Sequence, residues 1–218
     1  MRTHRRRERL ELSAYDGAVL GRGGLLAGVD EAGRGPLAGP VVACAVILAP
    51  DARLDGLDDS KRLSQAQRER LFDSIMVQSL AVSLTSVGER VIDAVDILRA
   101  SLLAMSSAVD SLHLKPDMLL VDGPYRLPVG VEQRAVIGAD GLSLSVAAAS
   151  VLAKVTRDRL MSELDCIYPR YSFHSNKGYP TRTHLEALSR HGPCPVHRFS
   201  FGPVKTCAQG SLIGLTPK

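Results

Sequence analysis

Four acidic residues stand at the ends of predicted β-strands: Asp30, Glu31, Asp122 and Asp140. Carboxylate oxygens are the ligands that Mg²⁺ prefers, with waters and substrate phosphates completing its coordination. Strand ends are also where α/β folds place their sites. Any one of these acids is equally consistent with a loop or capping role, so the prediction of a divalent-metal site depends on their combination.

Asp30 and Glu31 are adjacent, which sets a geometric condition on that site. Neighbouring residues of a regular strand point to opposite faces. The two carboxylates therefore converge only where the strand ends or bends, and a glycine-rich segment begins at Gly33.

The glycine-rich segment also permits a different interpretation. Residues 33–38, GRGPLA, fit the loose G-x-G-x-x-A pattern of a dinucleotide site. That motif requires a helix directly after the glycines, so that the helix N-terminus binds the pyrophosphate. Here Pro36 and Pro40 precede an apolar, β-branched run, VVACAVILA, which predicts a strand. The context therefore disfavours a nicotinamide or flavin cofactor.

Basic residues are unevenly distributed along the chain. Residues 1–10 hold five Arg and one Glu, whereas the other 208 residues hold 22 basic and 22 acidic side chains. Residues 168–205 contain six Lys or Arg, four of the six His and a single acid. A basic end beside an acidic site suits an enzyme that cleaves a polyanion. Candidate phosphate contacts are Lys61, Lys154, Lys177 and Arg198, although a solvated surface role is as consistent for any one of them.

Alternating and helical periodicities predict the elements that must position these groups. We expect strands at 25–29, 41–48, 81–87, 117–121 and 134–137. We expect one helix after a Ser64/Gln67 capping box, with an apolar face formed by Leu71, Phe72, Ile75 and Met76. We expect a second helix over 91–112, whose apolar residues form one continuous buried stripe. Two further helices are expected over 143–164 and over 183–190. Strands interleaved with helices predict a mixed α/β layer architecture.

Composition narrows the class of protein. A 218-residue chain with 45% hydrophobic residues is long enough for one domain with a proper core. The longest apolar run, 41–49, is too short to span a bilayer, and the N-terminus lacks the apolar segment of a signal peptide. The four cysteines form no C-x-x-C pair, which disfavours disulfides or zinc. We expect a cytoplasmic monomer without membrane association.

Six ordered blocks of sequence resemble the ribonuclease HII (type 2 ribonuclease H) family. They are GVDEAGRGPLAGPVVACAVIL, LDDSKRLS, VDGP, AAASVLAKVTRDRLM, NKGYPTRTHLEAL and HGPCPVHRFSF, which together extend from about residue 27 to residue 205. The resemblance implies a ribonuclease H-like mixed sheet flanked by helices, with a small helical C-terminal extension. It also implies cleavage of RNA in RNA–DNA hybrids, and incision 5′ of ribonucleotides embedded in duplex DNA, with two Mg²⁺ or Mn²⁺ ions.

The resemblance assigns roles to individual residues. The family's catalytic acids correspond to Asp30, Glu31, Asp122 and Asp140, although the family usually has glycine where this chain has Ala139. Its substrate-contacting residues correspond to Gly33, Arg34, Gly35, Ser60, Lys61 and Tyr179. The domain organisation that we expect is a basic, flexible tail over 1–24, a catalytic core over 25–165 and a C-terminal extension over 166–218 that completes the substrate site.

Two other readings remain at this point. Ribonuclease HIII shares the core fold but carries a sizeable extra N-terminal domain, whereas about 25 polar, basic residues precede the first predicted strand here. A non-catalytic nucleic-acid-binding module of the same fold is the other; it predicts loss or scattering of the four acids.

Overall fold

The computed structural model describes residues 2–21, 23–57 and 63–213, with side chains from residue 11 to residue 210 within those ranges. The strands are β1 (Leu26–Ala32), β2 (Val41–Leu48), β3 (Ser79–Val87), β4 (Met118–Asp122) and β5 (Glu132–Val136). The helices are α1 (Arg2–Leu20), α2 (Gln65–Val77), α3 (Glu89–Val95), α4 (Ile97–Asp110), α5 (Leu144–Ile167), α6 (Phe173–Asn176), α7 (Arg182–His191) and α8 (Gly202–Ile213). In the described parts of the chain, no helix combines the length and hydropathy needed to cross a bilayer.

The five strands form one mixed sheet in the order β3-β2-β1-β4-β5. β1 pairs antiparallel with β2 and parallel with β4, and β5 is parallel to β4. The parallel pairing of β1 and β4 ends at Val29 opposite Val121, and the two strands run towards this edge of the sheet in the same direction. The predicted mixed α/β architecture is confirmed.

Helices cover both faces of the sheet. Alternate residues of β2, including Ala43 and Ala45, pack with α3 and α4, whereas Cys44 and Val46 pack with α2 and α5. Helix α5 lies directly on β1, because a Cβ at Gly28 would overlap the backbone of Ser145. The small residues of α5 thus set a short distance between the helix and the strand that carries the first acids.

The predicted continuous helix over 91–112 is wrong. The chain breaks at Asp96, which has φ +76° and lies between α3 and α4. Its side chain accepts a hydrogen bond from the Arg99 backbone N–H at 2.9 Å and so caps α4. The change of direction leaves Val91 40% exposed rather than on a common buried stripe.

The predicted start of α2 is confirmed, but one residue of its predicted face is not buried. Ser64 accepts from the Gln67 N–H and donates its own N–H to the Gln67 side chain at 2.8 Å, forming the capping box. Leu71 and Ile75 are buried, whereas Met76 is 43% exposed. The helix touches α5 along a narrower stripe than the sequence pattern indicates.

The segment expected as a flexible tail contains helix α1, so that expectation is wrong for the part with described side chains. Leu12 and Val19 are buried. The Asp16 carboxylate accepts from the Ser143 hydroxyl at 2.5 Å and from the Ser145 N–H at 2.9 Å. These two bonds tie α1 to the start of α5, a tertiary contact that local sequence does not reveal.

Candidate active site

One cleft of about 460 Å³ opens at the edge of the sheet where the parallel pairing of β1 and β4 ends. It brings all four predicted acids together with residues 33–39, the glycine-rich loop, and the predicted substrate-contacting tyrosine. Its lining residues are Asp30, Glu31, Ala32, Gly33, Arg34, Gly35, Arg68, Asp122, Asp140, Ser150, Lys154 and Tyr179.

The two adjacent acids reach this cleft from within a strand. β1 continues to Ala32 through its pairing with β2, so the strand does not end at Val29 as predicted. Its pairing with β4 does end there. Beyond that point the β4 side of β1 is open, and Asp30 on the α5 face and Glu31 on the opposite face both line the cleft.

Asp30 lies in surroundings that disfavour its ionised form. It is 5% exposed, and it accepts the Glu31 backbone N–H at 2.7 Å. Burial raises its pKa well above the usual range, and the negative charges of Glu31 and Asp122 raise it further, while a hydrogen bond from the Ser150 side chain opposes the rise. A bound cation would relieve both causes.

Glu31 has an oxygen that no protein group satisfies. Its Oε2 is buried without a hydrogen-bond partner, and its Oε1 lies 3.4 Å from the Arg34 guanidinium. Burial raises the Glu31 pKa, Arg34 lowers it and Asp122 raises it. A buried, unpartnered carboxylate oxygen costs free energy, and a divalent cation is the partner that its chemistry suits. The acids present therefore fit a metal site.

Asp122 and Asp140 are joined through the backbone. Asp122 ends β4, and its Oδ1 accepts the N–H of Ala139 at 2.8 Å. Asp140 lies in the 3₁₀ turn over Ala139–Gly141 that leads into α5, and it is 5% exposed. Ala139 is fully buried, so a methyl group fits where the family usually has glycine. The left-handed residue of this turn is Gly138, with φ +73°.

The glycine-rich loop is held from behind by Arg198, which contradicts the prediction that Arg198 contacts phosphate. Arg198 is fully buried. Its guanidinium and Nε donate five hydrogen bonds of 2.6–3.0 Å to four carbonyl oxygens, those of Gly33, Arg34, Pro36 and Gly39. Burial lowers its pKa to about 9. Its role is to orient the loop rather than to meet the substrate.

A second buried arginine completes the support. Arg157 of α5 donates to the carbonyls of Pro40 at 2.9 Å, Ala38 at 3.1 Å and Lys177 at 3.0 Å. A Cβ at Gly33 would collide with this side chain. The loop then enters β2 rather than a helix, which excludes the dinucleotide interpretation.

Tyr179 and Lys154 also line the cleft. Tyr179 is 41% exposed, and its ring lies next to Gly35, where an added Cβ would stand 3.6 Å from Cε1. Lys154 has its ammonium 6.0 Å from the Tyr179 ring centroid and 2.6 Å from the Asp158 carboxylate. Both predicted residues therefore reach the cleft.

Lys177, a predicted phosphate contact, does not line the cleft. Lys177 directs its ammonium to the Asp158 carbonyl at 3.2 Å and to the Ser162 hydroxyl at 3.1 Å, both within the protein. Ser60 and Lys61 lie outside the described residues.

Sequence reasoning missed three residues of the site. Ser150 bonds to Asp30, Arg68 lines the cleft, and Arg157 supports the loop. A signal existed only for Ser150, because it lies two turns into a helix that begins just after Asp140 and so returns towards the strand ends.

No trio of His, Cys, Asp or Glu side chains in the described ranges is close enough to hold a metal as it stands. Mg²⁺ usually retains several waters and is completed by substrate phosphates, so a closed protein cage is not its normal site. Mutual repulsion of the carboxylates, seen in the raised pKa values of Asp30 and Glu31, opposes closer approach without a cation.

Comparisons with known proteins agree with this geometry. The family model described as Ribonuclease HII matches residues 27–204. A ribonuclease HII of Geotalea daltonii is 49% identical over 199 residues, which is 91% of this chain and 92% of that protein. The crystal structure of ribonuclease H2 from Pyrococcus horikoshii superposes with a TM-score of 0.73 at 29% identity, covering 85% of this chain and 98% of that one.

A more distant structure supports the fold alone. Bst-RNase HIII in complex with Mn²⁺ gives a TM-score of 0.73 at 19% identity, covering 91% of this chain and 73% of that one. The ribonuclease H-like fold, flanked by helices and including C-terminal helices, is confirmed. The ribonuclease HIII reading is disfavoured by the family match. The chain therefore belongs to the ribonuclease HII family, and it is an endoribonuclease that cleaves RNA in RNA–DNA hybrids and depends on divalent metal.

Proposed function

We propose that this enzyme, besides cleaving RNA in hybrids, incises duplex DNA on the 5′ side of a single embedded ribonucleotide and leaves 5′-phosphate and 3′-hydroxyl ends. The observation that carries the proposal is the composition of the cleft. Four carboxylates, the Gly33–Gly35 loop and Tyr179 line the same cleft. The acids suit phosphodiester hydrolysis, and the loop and the tyrosine suit recognition of one sugar.

The four acids are the groups that would hold metal. Asp30 and Asp122 line the cleft close enough for the charge of Asp122 to raise the pKa of Asp30, and they are the direct ligands that we assign, with Glu31 and Asp140 each holding one ion. Two Mg²⁺ or Mn²⁺ ions bound there would activate a water and stabilise the departing 3′ oxygen. The protein supplies the placement: Ser150 orients Asp30, and the Ala139 N–H orients Asp122.

Recognition of a ribonucleotide requires contact with its 2′-hydroxyl, which both donates and accepts hydrogen bonds. Gly33 and Gly35 have no side chain, so the backbone of the loop is open to a close approach. Arg198 and Arg157 fix several of its carbonyls from behind. The Tyr179 ring lies beside Gly35, so its hydroxyl and ring would meet the same sugar next to the loop.

The partner in this proposal is nucleic acid alone, bound by the protein as a monomer. The cleft of about 460 Å³ is open to solvent at the edge of the sheet, and we assign the duplex to that open side. Lys154 and Arg68 line the cleft and are the phosphate contacts that we assign.

A nick-mapping assay tests the proposal. Duplex DNA with one ribonucleotide, labelled at the 5′ end of that strand, is incubated with the enzyme and Mg²⁺, Mn²⁺ or EDTA. We expect a metal-dependent nick on the 5′ side of the ribonucleotide and none in EDTA. All-DNA duplex is the control substrate, and a continuous RNA–DNA hybrid tests the family activity in parallel. Cleavage of the hybrid without a nick at the single ribonucleotide would overturn the proposal.

Substitution of Tyr179 separates its hydroxyl from its ring. We expect Tyr179→Phe to lower kcat/KM for single-ribonucleotide incision about fivefold to tenfold, since a neutral hydrogen bond contributes ~1–1.5 kcal/mol. Tyr179→Ala should lose more, because it also removes the contact of the ring with the sugar. Tyr125, which is 47% exposed and does not line the cleft, supplies the matched Tyr→Phe control. Wild-type incision by Tyr179→Ala would rule out this role.

A further inference from the structure

Two fully buried histidines lie behind Tyr179. His184 belongs to α7, and His197 lies in the segment that forms a β-bridge with Ala38 of the glycine-rich loop. Their Nε2 atoms are 3.1 Å apart. At its other nitrogen, His184 is 2.9 Å from the Tyr179 carbonyl oxygen, and His197 is 3.0 Å from the Cys194 backbone nitrogen. The proposed chemistry uses neither ring.

The backbone gives this chain of contacts one direction. The Cys194 N–H can only donate, so His197 Nδ1 accepts it at 3.0 Å, a shorter contact than the 3.3 Å from the same nitrogen to the Cys194 carbonyl oxygen. Neutral His197 then carries its proton on Nε2 and donates it to His184 Nε2. His184 therefore carries its proton on Nδ1 and donates it to the Tyr179 carbonyl. The two rings are required to be opposite tautomers.

The surroundings keep both rings neutral. The aromatic rings of Phe173 and Tyr171 pack against the pair, with ring centroids 4.9–5.7 Å apart. The nearby titratable groups are the Cys194 thiol, the Tyr171 hydroxyl and the His191 ring on the far side of Tyr171. The Tyr171 hydroxyl donates its proton to the Gly192 carbonyl. Burial lowers the pKa of His184, and burial together with His184 lowers that of His197 to about 4. An added proton would set two N–H groups against each other.

The series of hydrogen bonds ends at the backbone carbonyl of Tyr179. This carbonyl also accepts the Thr181 N–H at 2.7 Å, while the Tyr179 N–H donates to Asn176 at 2.9 Å. Pro180, between them, has no N–H of its own. The preceding carbonyl, that of Gly178, accepts the N–H of Leu37 in the glycine-rich loop at 2.8 Å. The histidine pair thus holds the carbonyl that follows the Tyr179 side chain, and the glycine-rich loop holds the carbonyl that precedes it.

We propose that His184 and His197 are positioning residues that hold Tyr179 at the ribose subsite through a one-directional chain of hydrogen bonds from the Cys194 backbone to the Tyr179 carbonyl. The proposal rests on the role assigned to Tyr179 under the proposed function. Neither histidine touches substrate, and both act through the tyrosine.

A matched pair of variants separates positioning from stability. His184→Asn keeps an amide N–H near the place of Nδ1, whereas His184→Leu keeps the volume and removes the donor. Both lose the bond to His197, so both lower the free energy of unfolding. We expect His184→Leu to lower kcat/KM for single-ribonucleotide incision tenfold or more, as displacement of a substrate-positioning group does, and His184→Asn to recover most of it. His174→Leu, at an exposed histidine, is the control.

A double-mutant cycle shows whether the effect passes through the tyrosine. In a Tyr179→Ala background, His184→Leu should cause no further loss of incision. Equal losses for His184→Leu and His184→Asn, in proportion to their stabilities, would overturn the proposal, and so would full additivity in the cycle. If the wild type makes no metal-dependent nick, the proposed function fails instead.

Nuclear magnetic resonance tests the proposal independently of activity. Long-range ¹H–¹⁵N spectra of the metal-free protein should show His184 protonated at Nδ1 and His197 at Nε2, both neutral at pH 6. The Tyr179 ring and Gly178 amide signals should move in His184→Leu and stay near their wild-type positions in His184→Asn. Identical tautomers, or Tyr179 signals indifferent to His184→Leu, would refute the positioning role whatever the activity assay gives.

Discussion

Asp30→Asn is expected to abolish cleavage and to make the metal-free protein more stable. Asp30 is almost fully buried, and its pKa is raised by burial and by the charges of Glu31 and Asp122. Asn removes that charge and still accepts the Glu31 N–H. Activity should fall at least about a hundredfold, since loss of a metal's own ligand exceeds the 10–100-fold cost of losing an outer partner.

The direction of the stability change with pH follows from the raised pKa. The folded carboxyl binds its proton more tightly than the unfolded one, so this group favours folding below its unfolded pKa and loses that effect as pH rises through the folded value. Neutral pH lies above the unfolded pKa, so the raised pKa of Asp30 destabilises the metal-free wild type there, and Asn removes that cost. A gain of 1 kcal/mol in the variant corresponds to about 2–4 °C in melting temperature.

Thermal unfolding in EDTA and in Mn²⁺ measures both effects. Mn²⁺ should raise the melting temperature of the wild type, because a cation that binds only the folded state stabilises it, and should raise that of Asp30→Asn much less. Asp51→Asn, at an exposed carboxylate outside the cleft, is the control. Wild-type turnover by Asp30→Asn, or a less stable metal-free variant, would contradict the assignment.

Arg198→Leu is expected to cost both stability and ribonucleotide recognition. It would leave four buried or half-buried carbonyl oxygens of the glycine-rich loop without the five bonds that Arg198 donates. An unsatisfied buried acceptor costs ~1–3 kcal/mol. Allowing for relaxation of the loop, we expect urea denaturation to show a loss of about 2–4 kcal/mol. Single-ribonucleotide incision should fall with it, because the same loop lines the cleft.

Lysine should not rescue this position. One ammonium has three donors on a single atom, whereas the planar guanidinium reaches four separate oxygens at once. Arg190→Leu, at an exposed arginine of α7, is the matched control for loss of positive charge. If Arg198→Lys matched the wild type in both stability and incision, positive charge alone would account for the role of Arg198, and the proposed support of the loop by its hydrogen bonds would be wrong.

The acids could be predicted from sequence because their signal is local. Each of Asp30, Asp122 and Asp140 follows an apolar strand pattern, and parallel strands that end together bring such residues together. The convergence of Glu31 could not be predicted, because it depends on the pairing of β1 with β4 stopping at Val29 while its pairing with β2 continues to Ala32. That difference in pairing length belongs to the sheet and not to the sequence of β1.

Residues whose role depends on distant partners could not be predicted. Arg198 and Lys177 are of the residue types that contact phosphate, and only the tertiary structure shows that their donors bond to groups within the protein. The break at Asp96 is hidden because its periodicity continues into α4. Helix α1 was missed because its packing is made through Asp16 and two serines of α5.

The distance in sequence between the glycine-rich loop and its supports affects how the enzyme is made. Residues 33–39 leave the ribosome early, and their hydrogen-bond partners at residues 178–198 follow more than 130 positions later. At about 5–20 residues per second, that delay is on the order of ten seconds. A nascent chain that stops short of Arg198 already carries all four acids but not the side chain that shapes the loop beside them. The loop to which we assign sugar recognition is thus completed last during translation, and a prematurely terminated chain keeps its carboxylates without the finished loop beside them.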